Sequence, residues 1–438
     1  MKKERLLSKW ARQIGRNADR LYVLKRSLVL ASVLLLSACG AETVIAVPEA
    51  VPLPEPEGLR IAVASDLHLD PDNTEKGNEI HAVLYSPELL DALLRDAVRQ
   101  KTEILLLTGD LVNGGKHHRL ELLAEKLKSA EETGIDIYVL PGNHDLAPAT
   151  QTEFAGILAD FGYKEAFSRD PASLSYCVIR DGLMILMMDT AGYSVGAIDL
   201  PDVPVPDASD AFLRAKTLNW AEEMLKTAEE KKLHVLCAGH YNLLPEISRQ
   251  PGSGFYVKNG DRFADLLRQY DVPLYLSGHM HTRGYYEENG LSELLTEFLL
   301  SYPTGYTMLE VTERGIRYRP RRVDVDAWAK ENGQTDPVLL HFAEWQQNVL
   351  YEYSRENVTF MAEKNPMSRR HADQATEFFY AVMNAFWDGS LSERREEVKS
   401  MPGCEAFFRC AEGFAYEWWL KNLIETAPPE LGGFFLPW

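Results

Sequence analysis

Short apolar runs recur along the first three quarters of the chain, at Leu59–Ala64, Ile104–Leu107, Ile137–Leu140, Leu183–Met188, Leu233–Ala238 and Leu274–Leu276. Each has the length of a strand and is too short for a typical buried helix. Between several of them lie amphipathic stretches, Pro87–Lys101, Arg119–Thr133 and Ala211–Lys232. Thr307–Val311 and Ile316–Tyr318 read as a closing hairpin. This rhythm predicts an α/β domain built around largely buried sheets, with its chemistry on loops at the strand ends. Beyond about Val323 the period changes: Val338–Phe360, Arg370–Trp387 and Glu405–Ile424 repeat at helical spacing, uninterrupted by any strand-like run. The expected division is a body over 59–323 and a small all-helical C-terminal domain over 324–438. Six of the eight tryptophans, Trp328, Trp345, Trp387, Trp418, Trp419 and Trp438, fall in the second part. They are expected to form its core rather than a ligand platform or a membrane-facing surface.

Charge is divided unevenly. The chain of 438 residues has a formal net charge of −19, yet residues 1–38 hold nine Lys/Arg and two Asp/Glu, or +7, which leaves −26 for the rest. So acidic a body argues against long nucleic acids, whose binding depends on phosphate neutralisation. A small anionic substrate held through metal ions is compatible with it. In the basic start, Lys25-Arg26 precede an apolar run, Leu28–Leu36, and then Ser37-Ala38-Cys39-Gly40. That order of charged, apolar and small residues marks residues 1–38 as a secretory signal peptide. Leu36-Ser37-Ala38-Cys39 also resembles a bacterial lipobox, which implies lipidation of Cys39 and an exported lipoprotein anchored to the membrane. The long basic extension before Leu28 departs from a compact signal peptide. Residues 39–58, with Pro48, Pro52, Pro54 and Pro56, read as an extended tether. Cys177 and Cys237 sit in apolar runs as core residues, and Cys404 and Cys410 are close enough in sequence for an oxidising compartment to pair them.

The residues just after the apolar runs carry the chemistry. After Ile61–Ala64 comes Ser65-Asp66-Leu67-His68; after Ile104–Leu107 comes Thr108-Gly109-Asp110-Leu111-Val112-Asn113-Gly114. After Tyr138–Leu140 comes Pro141-Gly142-Asn143-His144-Asp145, after Val235–Ala238 comes Gly239-His240-Tyr241-Asn242, and last comes Gly278-His279-Met280-His281. One such tail is weak evidence, but five in order place five of the eleven histidines at strand ends. Carboxylate, imidazole and amide oxygen without thiolate suit Mn, Fe, Zn or similar divalent ions. Seven candidate ligands exceed one tetrahedral site and suffice for two ions sharing a carboxylate, an arrangement that clamps a phosphate and generates hydroxide near neutral pH.

These five tails, in this order, resemble the motifs of the calcineurin-like metallophosphoesterase superfamily over roughly residues 59–320. The resemblance implies a four-layer α-β-β-α sandwich with two mixed sheets and a dinuclear centre at their carboxyl edges. It implies that Asp66, His68 and His281 bind one ion, that Asn143, His240 and His279 bind the other, and that Asp110 bridges them. It further implies that His144 contacts the phosphate and protonates the leaving oxygen, and that Asp145 orients His144. Relatives often carry two adjacent histidines in the fourth motif; here His240 is taken as the ligand, and Tyr241 as packing or a substrate contact. His117 and His118 are expected to face solvent or line the cleft, and His234 to be packed within a strand. His81, His341 and His371 receive no role.

Motifs define the reaction more closely than the substrate. Thr190–Ala211 and Thr282–Thr304 read as long irregular insertions and as candidate pocket walls, or as cover for the helical domain. The leader, catalytic body and helical region together resemble bacterial lipoprotein cyclic nucleotide phosphodiesterases, and Arg322–Ala329 resembles the joining segment of that group. The implied substrate is a small phosphate ester, a cyclic nucleotide in the first reading. A nucleotidase or general phosphomonoesterase, one acting on phosphoproteins included, is the second. A surface binding lipoprotein that uses the metal fold as scaffold is the non-enzymatic alternative; every ligand position being filled speaks against it.

Overall fold

The computed structural model describes residues 58–73, 82–191, 211–244, 256–426 and 432–438. The leader, Cys39, His81 and most of the first insertion lie outside the described residues. In chain order the strands are β1 (Leu59–Ala64), β2 (Ile104–Thr108), β3 (Asp136–Leu140), β4 (Ser168–Arg169), β5 (Tyr176–Arg180), β6 (Leu183–Met188), β7 (His234–Gly239), β8 (Leu274–Ser277), β9 (Gly284–Glu288), β10 (Leu291–Leu295), β11 (Gly305–Thr312), β12 (Gly315–Arg322) and β13 (Phe434–Pro437). They form a six-stranded sheet ordered β13-β12-β11-β1-β2-β3 and a seven-stranded sheet ordered β4-β5-β6-β7-β8-β10-β9. Both are mixed: β1, β2 and β3 run parallel while β11 opposes β1, and β6, β7, β8 and β10 run parallel while β5 and β9 oppose their neighbours.

The continuous apolar runs have a simple cause. Successive side chains of a strand point to opposite faces, and here both faces are covered. Along β6, Leu183, Ile185 and Met187 join a core shared with the first sheet, whereas Met184, Leu186 and Met188 join a second core beneath the helices Ala215–Lys231 and Gly260–Gln269. Helices Ser86–Arg99 and His117–Glu131 cover the outer face of the first sheet and bury Leu89, Leu90, Leu93, Leu120, Leu123 and Leu127. The four layers expected from the sequence are therefore present.

The helical part has its own core, built on Phe378, Phe379, Phe407, Trp419 and Leu420. Its tryptophans divide: Trp419 is buried there, while Trp328 is buried in the core of the sheet body. Three features depart from the sequence reading. Thr282–Thr304 is not irregular: β9 and β10 form a hairpin whose turn residues Asn289 and Gly290 have φ of 53° and 84°. Asn-Gly is the favoured pair for a two-residue turn because both positions need positive φ. The stretch Glu405–Ile424 is two helices, Gly403–Cys410 and Ala415–Thr426. Finally, Phe434–Pro437 returns from the helical part as β13 along the edge of β12, where Trp438 stacks on His234 at 4.2 Å. Cys404 and Cys410 are free. Six residues apart on one helix they are separated by roughly 9 Å of rise, beyond the reach of a disulfide.

Candidate metal centre

The parallel strands of both sheets end at a common edge, and all five motif tails meet there. Three ligand groups converge: Asp66, His68 and His281; His68, Asp110 and His144; Asp110, His240 and His279, with the ligand atoms of each group within 4.8 Å of one another. Asp110 belongs to two of them, as a bridging carboxylate must. Its Oδ1 accepts from the His144 backbone N–H at 2.8 Å. Its Oδ2 faces His240 Nε2 at 3.3 Å, His68 Nε2 at 3.6 Å and His144 Nε2 at 3.9 Å. Asp66 repeats the device. Its Oδ2 accepts from the His279 backbone N–H at 3.0 Å, and its Oδ1 lies 3.3 Å from His281 Nε2. In each carboxylate one oxygen is fixed by another motif's backbone, which leaves the second directed into the site.

The chain is strained to achieve this. Asp66, His68, Asp110, His279 and His281 have φ between 40° and 64°. Left-handed backbone is unfavourable for residues with a Cβ and collects at functional sites. The alternation of His279 and His281 is thus not that of an extended strand. Both are left-handed, and they serve different groups, His279 with His240 and His281 with His68.

The residues present fit divalent ions. Among the described residues, Asp66 Oδ1, His68 Nε2, Asn143 Oδ1 and His240 Nε2 are buried without a completed hydrogen bond, although Asp66 Oδ1 and His240 Nε2 each face another group of the site at 3.3 Å. Each such atom costs about 1–3 kcal/mol, and four around one cleft call for cations. His240 Nδ1 lies 2.9 Å from the Thr108 carbonyl. A carbonyl only accepts, so Nδ1 donates and Nε2 keeps its lone pair for a metal. Burial pushes the His68 and His279 imidazoles down to about 3, so both are neutral donors at physiological pH. Burial would raise the Asp66 carboxyl, but the facing His281 overcomes it and holds the group at about 2. Burial likewise opposes charge on His240, and Asp110 overcomes it, raising the imidazole to about 9 in the metal-free centre.

Asp145 does something other than the expected service to the His144 ring. Its Oδ1 accepts from Val112 N at 2.9 Å, and its Oδ2 from Leu111 N at 3.1 Å and Gly142 N at 2.8 Å. Among the described residues no hydrogen bond joins it to the imidazole. Instead it ties the Asp110 loop to the Asn143-His144 turn, while burial and then Asp110 push its own carboxyl up to about 7. His144 itself has a side chain 39% exposed at the rim of the centre.

Tyr241 is fully buried and packs on His279 at 4.0 Å between ring centroids, a packing residue. His118 pairs with Asp72 at 3.0 Å and His117 with Glu121 at 3.3 Å, both at the exposed start of a helix. Two supports escaped the sequence reading. Thr190 Oγ1 accepts from the His240 and Tyr241 N–H groups, each at 3.0 Å; its place at the end of an apolar run, after Asp189, was the available signal. Phe298 stacks on His281 at 4.0 Å and 22°, and sits edge-on to His68 at 5.2 Å. Nothing in its local sequence distinguishes it.

The chain is similar to known proteins along most of its described length. The C-terminal domain of cyclic nucleotide phosphodiesterase matches residues 324–427. A probable glycerophosphodiester phosphodiesterase of Arcobacter nitrofigilis is 24% identical over 278 residues, 63% of this chain and 90% of that protein. A 3′,5′-cyclic-nucleotide phosphodiesterase of Nostoc sp. is 25% identical over 224 residues, 51% of this chain and 71% of that protein. Among solved structures, a dimetal phosphatase from Danio rerio superposes with a TM-score of 0.48 at 13% identity, over 61% of this chain and 97% of that one. The calcineurin-like phosphoesterase model matches residues 59–283. The chain belongs to the calcineurin-like phosphoesterase family and is a hydrolase acting on phosphate esters.

Proposed function

We propose that the protein is a phosphodiesterase that uses two divalent ions to hydrolyse cyclic nucleotides. The observation that carries the two-ion reading is the convergence of three ligand groups, two of which share Asp110, with four buried donor atoms left without a completed hydrogen bond. Asp66, His68 and His281 would hold one ion, Asn143, His240 and His279 the other, and Asp110 both. When bound, Mn, Fe or Zn ions supply positive charge to phosphoryl oxygens and acidify water. The protein's own part is to hold the donors rigidly through the backbone bonds to Asp66 and Asp110, and to exclude solvent from the buried imidazoles. His144, at the exposed rim, gives its proton to the ester oxygen as it leaves. The diester preference is supported by the two phosphodiesterase relatives, and the cyclic nucleotide by the match over 324–427 and by the Nostoc protein. The protein is further proposed to be exported and anchored through a lipid on Cys39. Support for the anchor comes from the basic start, the apolar run Leu28–Leu36 and the lipobox-like Leu36–Cys39.

The test is hydrolysis by the purified chain with Mn²⁺ of 3′,5′-cyclic AMP, glycerophosphocholine and p-nitrophenyl phosphate. Fastest turnover is expected on the cyclic nucleotide. Preference for the monoester would overturn the phosphodiesterase reading, and no hydrolysis with metal bound would overturn the enzyme. For the anchor, Cys39→Ser is expected to release the protein from the membrane fraction, and unchanged fractionation refutes it.

A further inference from the structure

The loop bearing His281 is held from the helical region. Arg283, two residues on, has a guanidinium only 10% exposed whose Nη1 pairs with Glu297 Oε1 at 3.1 Å, a carboxylate itself 8% exposed. Its Nη2 donates to the backbone carbonyl of Asp388, at the end of helix Arg369–Trp387. Glu297 is followed by Phe298, whose ring is the platform under His281 and the edge contact of His68. Phe298 also forms a β-bridge with Ser65, directly before Asp66. The same segment also contacts the helical region: Tyr302 packs against its core, and Thr304 Oγ1 donates to Gln346 Oε1 at 2.9 Å. One fork-shaped cation therefore joins the helical region to all three ligands of the first group. A guanidinium can serve both partners because its donors diverge in a fixed plane, which an ammonium cannot do.

We propose that Arg283 is a positioning residue, through which the C-terminal helical region fixes the Asp66–His68–His281 ligand group. The inference rests on the reading that His281 holds an ion. It also assigns the helical region a role, since that region supplies the Asp388 carbonyl against which the loop is set. A contact outside the ligand shell that orients a ligand changes metal affinity by about 10–100-fold.

The experiment is Mn²⁺ titration of the full metal-stripped chain by calorimetry, with His281→Ala, Arg283→Met and Glu297→Gln beside the wild type. His281→Ala should bind one ion instead of two; if it keeps both with unchanged affinity, the ligand reading itself fails. Arg283→Met should still bind two ions, one of them at least tenfold more weakly, and turnover should recover at high Mn²⁺. Two unchanged affinities in Arg283→Met, with His281→Ala losing an ion, overturn the positioning role even if the melting temperature falls. Should Arg283→Met fail to fold, Glu297→Gln, which keeps the shape and removes the charge, decides by the same weakening or its absence.

Discussion

Gly142 is the position where a single methyl group should disable the centre. A Cβ built there lies 2.2 Å from the Asp110 backbone nitrogen and 2.2 Å from Asp110 Oδ1. Non-bonded heavy atoms prefer about 3.5 Å, so Gly142→Ala forces the two loops apart by roughly 1 Å. Neither loop can give freely. Asp110 Oδ1 is held by the His144 N–H, and Gly142 N donates to Asp145 Oδ2. Overpacking of this kind costs about 1–3 kcal/mol. The functional loss should exceed it, because metal–ligand distances tolerate about 0.2 Å and a 1 Å misplacement of reacting groups costs about 100-fold in rate. Two measurements on Gly142→Ala separate these effects: the urea midpoint for stability, and Mn²⁺ stoichiometry with phosphodiester turnover for the centre. The expected result is a folded protein with weakened metal binding and turnover reduced about 100-fold. Wild-type Mn²⁺ affinity and turnover would show that the Asp110 and Gly142 loops are not in contact as described, and would falsify the reasoning.

Other substitutions probe separate parts of the structure. Asp110→Ala removes the carboxylate shared by two ligand groups and should abolish both Mn²⁺ binding and turnover, whereas His144→Ala should keep the ions and lose about 100-fold or more in turnover. Equal metal loss in the two, measured by elemental analysis, refutes the division of roles. Glu297 supplies a pH signature: burial raises its carboxyl to about 7 although Arg283 and Arg322 pull it back. A raised acid binds more protons folded than unfolded, so its contribution to stability is greatest below about pH 4.5. That contribution is lost as the pH rises to 7, by up to roughly 3 kcal/mol. In metal-stripped protein Glu297→Gln should lack this decline in urea midpoint between pH 5 and 7.5, and parallel declines refute it. Trp438→Ala removes the stack on His234 and the indole bond to the Thr312 carbonyl at 2.7 Å. It should lower stability by about 1–3 kcal/mol with Mn²⁺ binding intact; loss of an ion would link β13 to the centre.

Much of this molecule is readable from order along the chain. The apolar runs mark buried strands because burial on both faces removes any need for alternation, and the polar residue types just after each run announce a metal centre. Asp66, His68, Asp110, Asn143, His240, His279 and His281 stand out as candidate ligands in this way, and the structure brings the six that carry a carboxylate or imidazole into shared groups. The features that sequence order could not reveal depend on contacts between segments far apart in the chain. Asp145 looks like a partner for its neighbour His144, yet three backbone N–H groups claim it, two of them from a loop more than thirty residues earlier. Phe298, Arg283 and Asp388 carry no local signal, because stacking on an imidazole and bonding to a helix-end carbonyl are set by how β10, the loop after it and the helical region pack together. The left-handed backbone at five candidate ligands belongs to the same class. Local preference disfavours that conformation, and only the convergence of two sheet edges holds it.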